Sequence, residues 1–445
     1  MADELEVASH VVALATAAGA DQAEATYTVG ERFSTEARDR QIVKLERSIA
    51  RSMTLRVFVG GAKASLGTSD FSADGLVAYV RETVDAARFV ASDPHGGLPD
   101  HVAEMHHHDD ASLEMYSGDV TARPAEAKIE DALELERIAR AIDTRIVNSA
   151  GSRVADTTVA LALANSLGFA GAYRQSQVSV GLSPIASDGG NLRTASYGAA
   201  SRSYATLEPI ASVARTAARR AVEMIGARKP LTTRCPVIFD RDVASLVLAD
   251  IFAAVNAANV AVGNSFLADR IGARVGSELA TIVDDGRLPR GLGTSPFDAE
   301  GVPTRRTLVM ERGTLQTFLY DSYYARRLGA HSTGNASGGG VGPNNFYLAP
   351  GTHALGDIVA ATPRGILVLD TIGFSTESVT GTYSRGARGF AIENGELAYP
   401  VDEFTIAGNL VEMLATIDLV GNDLIFDQPI VSPSFRVAEM TVSGI

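Results

Sequence analysis

The chain has 445 residues, enough for two or three domains, and 46% hydrophobic and 21% charged residues are typical of an ordinary globular protein. A formal net charge of −14 disfavours generic binding to nucleic acids, and a single cysteine excludes an intrachain disulfide and favours a reducing compartment. The acidic N-terminus lacks a basic signal segment and no apolar run is long enough for a membrane span, so we expect a cytoplasmic protein without a membrane anchor.

The first half of the chain predicts both helices and strands. Apolar side chains recur at helical spacing in four segments, and polar and apolar side chains alternate between them. In chain order we predict a helix at 1–20, strands at 23–70 with a hairpin turn at Gly60-Gly61, a helix capped by Ser72, a helix at 125–143, strands at about 145–205 and a helix from Pro209. In the helix at 125–143, we expect Ile129, Leu133 and Ile138 to face the core.

A polar, proline-containing stretch at 228–235 follows, and we place a domain boundary there. Beyond it we predict a strand at 236–240, an apolar helix at 241–261 capped by Asp240 or Asp242, hairpins turning at Arg312-Gly313 and Asn394-Gly395, a glycine-rich loop at 332–351 and a final helix at 410–420. The expected fold is α+β. An N-terminal α/β domain (residues 1–230) precedes a β-rich C-terminal domain with a few helices (residues 231–445).

The segment EMHHHDD, residues 104–110, contains three histidines and three acidic side chains. A zinc site needs three or four converging ligands, and on a strand only His106 and His108 would point to the same face. The flanking stretches are polar and rich in turn residues, so a solvated connector is the simpler interpretation. A metal site that uses His106 and His108 is the alternative.

Other motifs that could carry chemistry are weak. Cys235 enters a strand and is followed by proline, so we interpret it as a small apolar residue and not as a nucleophile. Asp284 and Asp285 lie in a predicted turn, where adjacent carboxylates are normally solvated. The sequence contains neither G-x-S-x-G nor G-x-x-x-x-G-K-[ST]. The residues alone therefore offer no catalytic constellation.

Several sequence blocks nevertheless occur together in a characteristic order. They are LRVFVGG, PVIFD, SFLADRIG, DDGRLPRGLGTSPFDAEGVPTRR, LQTFLYDSYYARRLG, STGNA, NNFYL and GNDL. The chain thereby resembles the TldD/PmbA family, and within it the PmbA branch, also called TldE, from about residue 20 onward. The resemblance implies an α/β domain followed by a β-rich domain, and a cytoplasmic bacterial protease built from two related subunits, TldD and TldE.

The resemblance also concerns metal binding. The TldD branch carries H-E-x-x-x-H on the helix after a P-V-x-x strand, where the histidines hold zinc, the glutamate is the general base and a C-terminal cysteine is a further ligand. The matching positions of this chain are Ala249, Asp250 and Ala254, and no cysteine lies near its C-terminus. The resemblance thus implies a chain that binds no zinc, with the zinc held by a TldD-type partner.

We therefore expect a non-catalytic subunit that pairs with a TldD-type chain, or with itself, to act on small or unfolded peptides. Nucleic acid and membrane are not expected partners. The residues that we predict to contact peptide, in the glycine-rich loop, are Ser332, Thr333, Gly334 and Asn335. Two alternatives stay open: a metallopeptidase that uses the histidines of 104–110, and an interaction protein that modulates DNA gyrase or antitoxin turnover.

Overall fold

A computed structural model describes residues 2–100, 111–373 and 376–445 of the chain. In its first half the helices are α1 (Ala2–Ala17), α2 (Ala73–Arg88), α3 (Asp119–Ala122), α4 (Ala125–Ile142) and α5 (Ile210–Glu223). The strands are β1 (Gln22–Arg38), β2 (Gln41–Val59), β3 (Ala62–Thr68), β4 (Ile146–Asn165), β5 (Ala170–Asp188), β6 (Asn191–Thr194) and β7 (Tyr197–Ser201). The predicted cap of α2 is confirmed, because the side chain of Ser72 accepts a hydrogen bond from Gly75 N.

These strands form one antiparallel sheet in the order β3-β2-β1-β4-β5-β6, with β7 paired to β5. Helices cover one face of the sheet. Val154 and Ala162 lie eight positions apart on β4 and so point to the same face. Val154 packs in the core built with α4 and α5, and Ala162 packs in the core built with α1 and α2. The opposite face remains for contact with the second half of the chain.

Helix α4 buries more than the predicted residues. The predicted residues Leu133 and Ile138 are half-buried and pack against the core, and Ile129 is also half-buried. The buried residues are Lys128, Ala132, Leu135, Glu136 and Ala139. The two buried charges have partners: Lys128 Nζ lies 2.5 Å from Asp156 Oδ2, and Glu136 accepts hydrogen bonds from the backbone N–H groups of Asp39 and Arg40. Partners distant in the sequence thus allow charged residues to take core positions.

The second half contains more strand than helix. Its helices are α6 (Arg241–Val255), α7 (Ala257–Ala261), α8 (Ser322–Leu328), α9 (Leu355–Ala360) and α10 (Leu410–Ala415). Its first strands are β8 (Thr233–Phe239), β9 (Ile282–Asp285), β10 (Arg306–Glu311), β11 (Thr314–Leu315), β12 (Ala336–Ser337), β13 (Gly340–Val341) and β14 (Phe346–Leu348). The remaining strands are β15 (Arg364–Ile372), β16 (Thr376–Glu377), β17 (Thr382–Glu393), β18 (Glu396–Asn409), β19 (Ile417–Val420), β20 (Ile430–Val431) and β21 (Phe435–Ser443).

Five of these strands close into a barrel in the order β15-β8-β21-β18-β17, because β15 also pairs with β17. A second sheet has the order β11-β10-β9-β14-β20, and β12 pairs with β13 in a short ribbon. Helix α6 contacts strands β8 and β15 of the barrel and strands β14 and β20 of the second sheet. Contact on both sides explains why the sequence of α6 is apolar around most of its circumference.

The predicted hairpins of this half are confirmed. Arg312-Gly313 joins β10 to β11, and Asn394-Gly395 joins β17 to β18 with both turn residues at positive φ, as a type I′ turn requires. The predicted helix at 241–261 is interrupted at Asn256, whose side chain caps α7. The predicted helix at 410–420 is wrong beyond Ala415, because the following residues form β19 and pair with β21.

The α+β fold class is confirmed, since helices cover a sheet in the first half and a barrel dominates the second. The division into domains at 1–230 and 231–445 stays a prediction. Within the described part of the chain, no helix has both the length and the hydropathy that a membrane crossing requires.

Candidate functional site

Helix α6 carries Ala249, Asp250 and Ala254 on one segment next to the barrel. Asp240 caps the start of this helix, and its side chain accepts a hydrogen bond from Asp242 N. Ala254 is buried and Ala249 is half-buried. A methyl group has no lone pair, so Asp250 is the only one of the three with an atom that could ligate a metal.

Asp250 is held by two side chains of the barrel end. Its Oδ2 accepts a hydrogen bond from Arg385 Nη2 at 2.7 Å and from Thr376 Oγ1 at 3.1 Å. The Arg385 side chain, on β17, is only 4% exposed. Burial raises the pKa of Asp250, and the charge of Arg385 and the Thr376 hydrogen bond oppose that rise. A guanidinium is thus the cation beside this carboxylate, and a zinc site does not fit the three positions.

Within residues 2–100, 111–373 and 376–445, no three His, Cys, Asp or Glu side chains are grouped so that they could hold a metal ion. His106 and His108 lie outside these residues, so the metal site proposed for them stays a prediction. Cys235 is buried, and burial raises the pKa of its thiol to about 11. A high thiol pKa leaves little reactive thiolate, in agreement with a core role for Cys235.

A cleft of about 240 Å³ lies between the helix-free face of the N-terminal sheet and two loop segments of the second half. The sheet contributes Thr26, Leu161, Leu163, Tyr173 and Gln175, and the loops contribute residues of 292–299 and 335–344. Phe297 anchors the first loop against the sheet, with ring centroids 5.0 Å from Phe169 and 5.2 Å from Tyr173 in edge-to-face contacts. The cleft therefore exists only where the two halves meet.

Asp298 fixes both loops at the wall of this cleft. Its carboxylate accepts three backbone hydrogen bonds, from Glu300 N and Val302 N in its own loop and from Ala336 N in the other. Burial, with the nearby charge of Glu300, raises the pKa of Asp298 to about 8, and the three hydrogen bonds oppose the rise. Backbone groups of the chain thus donate all three of these hydrogen bonds, and the Asp298 carboxylate holds the two loops together at the cleft wall.

Arg202 supports the first loop from the other side. Its buried guanidinium donates hydrogen bonds to the carbonyl oxygens of Gly291, Leu292 and Thr294, and burial lowers its pKa to about 10. The loop is therefore folded around a cation whose partners there are neutral carbonyl groups. No sequence signal marked Arg202, because its partners lie about ninety positions away.

The glycine-rich loop is anchored by Asp284, which is fully buried on β9. Asp284 accepts hydrogen bonds from Asn335 Nδ2, Asn344 Nδ2 and Asn344 N at 2.8 to 2.9 Å. Burial raises the pKa of Asp284 to about 6, against the effect of these bonds. The interpretation of Asp284 as a solvated turn residue is wrong, because two loop asparagines satisfy its carboxylate in the interior.

The predicted peptide-contact residues lie at the base of this loop. Thr333 Oγ1 accepts from Tyr320 N at 2.7 Å and contacts Asn335 Oδ1 at 2.7 Å, and both residues are buried. Gly334 has a φ of +75°, and a Cβ there would lie 2.7 Å from Pro303 O. Ser332 is half-buried and accepts from Gly334 N. These groups set the loop conformation, and their role in peptide binding stays a prediction.

A buried ion triad joins the two halves beside the cleft. Arg56 Nη2 lies 2.8 Å from Glu24 Oε1, and Arg56 Nη1 lies 3.2 Å from Glu300 Oε1. Glu300 also accepts a hydrogen bond from Ser322 N at the start of α8. Burial raises the pKa of Glu24 to about 7, with the Arg56 charge opposing this effect and the Glu300 charge adding to it. The triad fixes the sheet relative to the loop that carries Asp298.

Comparison with known proteins identifies the family to which this architecture belongs. Three sequence models match consecutive parts of the chain: PmbA/TldA metallopeptidase domain 1 at 23–88, the central domain at 118–225 and the C-terminal domain at 232–444. The chain belongs to the PmbA/TldD family. Metalloprotease PmbA homolog of Haemophilus influenzae is 33% identical over 441 residues, 99% of this chain and 96% of that protein. Metalloprotease PmbA of Escherichia coli O157:H7 is 31% identical over 437 residues, with coverages of 97% and 94%.

Solved structures related to the PmbA/TldD family have the same fold. A Bacteroides thetaiotaomicron protein, described as a proposed modulator of DNA gyrase, matches with a TM-score of 0.92 and 25% identity over 99% of this chain and 98% of its own. TldE from Thermococcus kodakarensis matches with a TM-score of 0.87 and 19% identity over 98% of this chain and 100% of its own. The resemblance to the TldD/PmbA family that the sequence blocks indicated is thus confirmed.

Within this PmbA/TldD fold, the two groups of predicted residues are linked through the end of α6. Asn256, which follows α6, donates from Nδ2 to Val341 O in the glycine-rich loop at 3.0 Å. Ala249, Asp250 and Ala254 therefore lie on the helix whose C-terminal end contacts the loop. Sequence reasoning missed Arg385 and Asp298. The D-x-x-G spacing of FDAEG signals the turn at Asp298, but nothing local signals Arg385.

Proposed function

We propose that this chain is the non-catalytic PmbA/TldE-type subunit of a two-subunit metalloprotease that acts on small or unfolded peptides. Zinc and the general base would belong to a TldD-type partner, and a pair of identical chains would form when that partner is absent. The proposed setting is the cytoplasm. The names of the relatives support metalloprotease membership, and the assignment of this chain as the non-catalytic subunit is our own step.

The main support is the environment of Asp250. In the TldD pattern this position supplies a general base between two zinc ligands. Here the flanking ligand positions are the alanines 249 and 254, and the carboxylate is already neutralised by Arg385. A base that polarises water must be free to accept a proton at a metal-bound water, and a carboxylate held by a buried guanidinium is not.

We infer that peptide contacts the cleft beside the glycine-rich loop. The hydrogen-bonding groups of Thr333 and Asn335 serve the loop itself, while Ser337, Gly338 and Gly339 are exposed at its tip. Ser332, Thr333, Gly334 and Asn335 would then act by presenting the backbone of the following ribbon to an extended peptide. Backbone groups at a short ribbon can pair with a peptide of any sequence, which suits a substrate defined by being unfolded.

The test is co-expression with the TldD-type chain of the same organism. Hydrolysis of an unstructured fluorogenic peptide and zinc content would be measured for each chain alone and for the pair. We expect no hydrolysis and far less than one zinc per molecule for this chain alone, and chelator-sensitive hydrolysis with stoichiometric zinc for the pair. Chelator-sensitive hydrolysis by this chain alone, with one zinc per molecule, would refute the proposal.

Two variants separate the roles of the subunits. Glu→Gln at the general-base position of the TldD-type partner should abolish hydrolysis by the pair. The matched change Asp250→Asn in this chain should leave hydrolysis within about threefold of the unmodified pair, since an amide still accepts from Arg385. Loss of hydrolysis from a folded, pair-forming Asp250→Asn chain would assign this carboxylate to catalysis and contradict a non-catalytic role.

The description of the Bacteroides protein as a proposed modulator of DNA gyrase favours a second candidate function, the modulation of that enzyme. The net charge of −14 argues against direct contact with DNA and leaves contact with a protein partner open. Retention of purified gyrase on this chain without any protease subunit, together with a change in supercoiling activity, would support it. Effects on gyrase that require the TldD-type chain would instead point to peptide turnover.

A further inference from the structure

A second pocket, of about 400 Å³, lies beside strand β5. Its walls come from residues 111–117, from Arg174 on β5, from residues 202–206 after β7 and from Arg290 in the second half of the chain. The described residues that line this pocket are all different from those that line the cleft. The volume exceeds what a single ion needs and falls within the range of small-molecule sites.

Positive charge dominates the walls of this pocket. Among the described residues that line it, three are arginines, Arg174, Arg202 and Arg290, and one is acidic, Glu114. An excess of two positive charges in one pocket opposes the net charge of −14 of the whole chain. The other polar side chains of the walls carry hydroxyl groups, which like guanidinium groups can donate hydrogen bonds to an anion. They belong to Tyr116, Ser117, Ser203 and Thr206.

Arg202 is a buried cation whose charge the chain does not balance directly. The residue is 3% exposed. All of its hydrogen bonds to described residues go to neutral oxygens, which are those of Gln175, Ser176, Gly291, Leu292 and Thr294. A buried charge without an opposite charge nearby is unfavourable, so an anion in the adjoining pocket would stabilise this guanidinium.

Arg174 is exposed but held in position by an aromatic ring. Its Cζ lies 5.0 Å from the ring centroid of Tyr116. Tyr116 is fixed in turn by its neighbours, because Met115 O accepts from Ser176 N and Ser117 N donates to Ser176 Oγ, both at 2.9 Å. The N–H groups of a guanidinium point outward in its plane, so a ring on its face leaves donors for an anion.

Arg290 is fixed through its backbone. Its N–H donates to Leu113 O at 2.8 Å, and its φ of +64° lies in the left-handed region, as does the φ of +48° at Glu114. Such conformations are uncommon for residues with a side chain and occur preferentially at functional sites. Arg290 Nε lies 3.6 Å from Glu114 Oε2, and both side chains are more than half exposed. An anion can therefore replace Glu114 at little cost.

We propose that this pocket binds a phosphate group, either as the free ion or as part of a small molecule. A phosphate monoester carries about −1.5 to −2 charges at pH 7, which matches the excess charge of the walls better than a single carboxylate does. Arg174 and Arg290 would bind the phosphate oxygens. Arg202 would act through its charge, because its N–H groups already bond the chain. The inference goes beyond the proposed function, which makes no use of this pocket.

A bound phosphate should also affect one wall of the cleft. Arg290 and Arg202 hold the two sides of the loop that contains Leu292 and Thr294, and both of these residues line the cleft. An anion that attracts both arginines should therefore hold this loop more firmly. We expect amide hydrogen exchange in residues 290–295 to become at least about threefold slower in saturating phosphate, with the strands of the barrel unchanged.

Calorimetric titration of the full-length chain tests the site. Inorganic phosphate and glycerol 3-phosphate are the two probes, at an ionic strength kept constant with sodium chloride. We expect saturable binding of one phosphate group per chain with a dissociation constant below about 1 mM for at least one probe. Tighter binding of inorganic phosphate assigns the site to the free ion, and tighter binding of glycerol 3-phosphate assigns it to a phosphorylated molecule.

Arginine variants locate the binding. Arg174→Gln and Arg290→Gln should each raise the dissociation constant at least about tenfold, since each removes a charged donor. Both side chains are exposed, so the variants should unfold at the temperature of the unmodified chain. Arg312→Gln removes an exposed arginine from the turn after β10 and is the matched control, with unchanged affinity. Absence of saturable binding of both probes, or the same affinity in all three variants, would overturn the proposal.

Discussion

The half-buried carboxylate of Asp250 has no metal ligands beside it, so another cation has to balance its charge. Asp250 finds one in Arg385, which comes from a strand 135 positions away and places a planar guanidinium next to Oδ2. The Arg385 carbon Cζ also lies 5.3 Å from the ring centroid of Tyr383, which is fully buried. The position that holds a general base in the TldD pattern is here part of the packing between helix α6 and the barrel.

Removing the arginine should therefore destabilise the fold. Arg385→Met leaves the Asp250 carboxylate half-buried without its guanidinium, and we expect a loss of about 2–4 kcal/mol in the free energy of unfolding. Urea denaturation of the purified chain measures this loss. Arg234→Met removes one partner of the exposed pair with Glu439 and should cost less than about 0.5 kcal/mol. If both variants lose the same free energy of unfolding, the pair of Arg385 and Asp250 contributes no more to stability than an exposed ion pair does.

At the scale of elements, features that depend on neighbouring residues are predicted correctly from the sequence, and features that depend on distant residues are not. The cap at Ser72 and the turns at Gly60-Gly61 and Asn394-Gly395 depend on neighbouring residues and are confirmed. The burial of Lys128 and Glu136 on α4 depends on partners in β4 and in the turn after β1, and the change from helix to strand after Ala415 depends on β21. A single sequence does not contain the positions of those partners.

The candidate site shows the same division. The resemblance to the TldD pattern predicts Ala249, Asp250 and Ala254 on a helix, and the structure places them there. The anchoring of the glycine-rich loop was not predictable, because Asp284 lies about fifty positions before Asn335 and looked like a turn residue. Composition marked the loop as irregular, but only the structure shows which of its side chains point inward.

The loop anchor can be tested at this scale. Asn335→Ala removes three hydrogen bonds, in which the Asn335 amide donates to Asp284 Oδ2 and Gly342 O and accepts from Thr333 Oγ1, and it leaves a fully buried carboxylate with fewer donors. We expect amide hydrogen exchange in residues 332–345 to become at least about tenfold faster, with the barrel strands unchanged. Ser337→Ala, which removes an exposed hydroxyl, is the matched control. Unchanged exchange in Asn335→Ala would show that the loop is held by other contacts.

At the scale of the whole molecule, the two halves are joined by polar and aromatic contacts next to the cleft. The Arg56 triad bonds the sheet to the loop of Glu300, and Phe297 packs against the sheet face. Neither half alone would form the cleft, so any role of the cleft in peptide binding depends on these contacts. The same contacts bury several carboxylates, which makes the stability of the chain sensitive to pH.

Replacement of Arg56 should make the free energy of unfolding depend more strongly on pH. In the native chain burial raises the pKa of Glu24 to about 7, above its value in the unfolded chain. A carboxyl with a raised pKa contributes stability that is full below the unfolded pKa and is lost as the pH rises through the folded pKa. Arg56→Met removes the cation that opposes this rise, so the pKa of Glu24 should increase further and the loss of stability should grow with pH.

We expect Arg56→Met to lower the free energy of unfolding by about 1–2 kcal/mol at pH 5, where Glu24 is protonated, and by about 3–5 kcal/mol at pH 8, where the buried Glu24 carboxylate lacks its cation. Urea denaturation at both pH values gives the difference. The double variant Arg56→Met with Glu24→Gln should recover part of the loss at pH 8 and little at pH 5, because the buried charge of Glu24 is gone. A loss of the same size at both pH values would mean that Arg56 acts through packing and not through its charge.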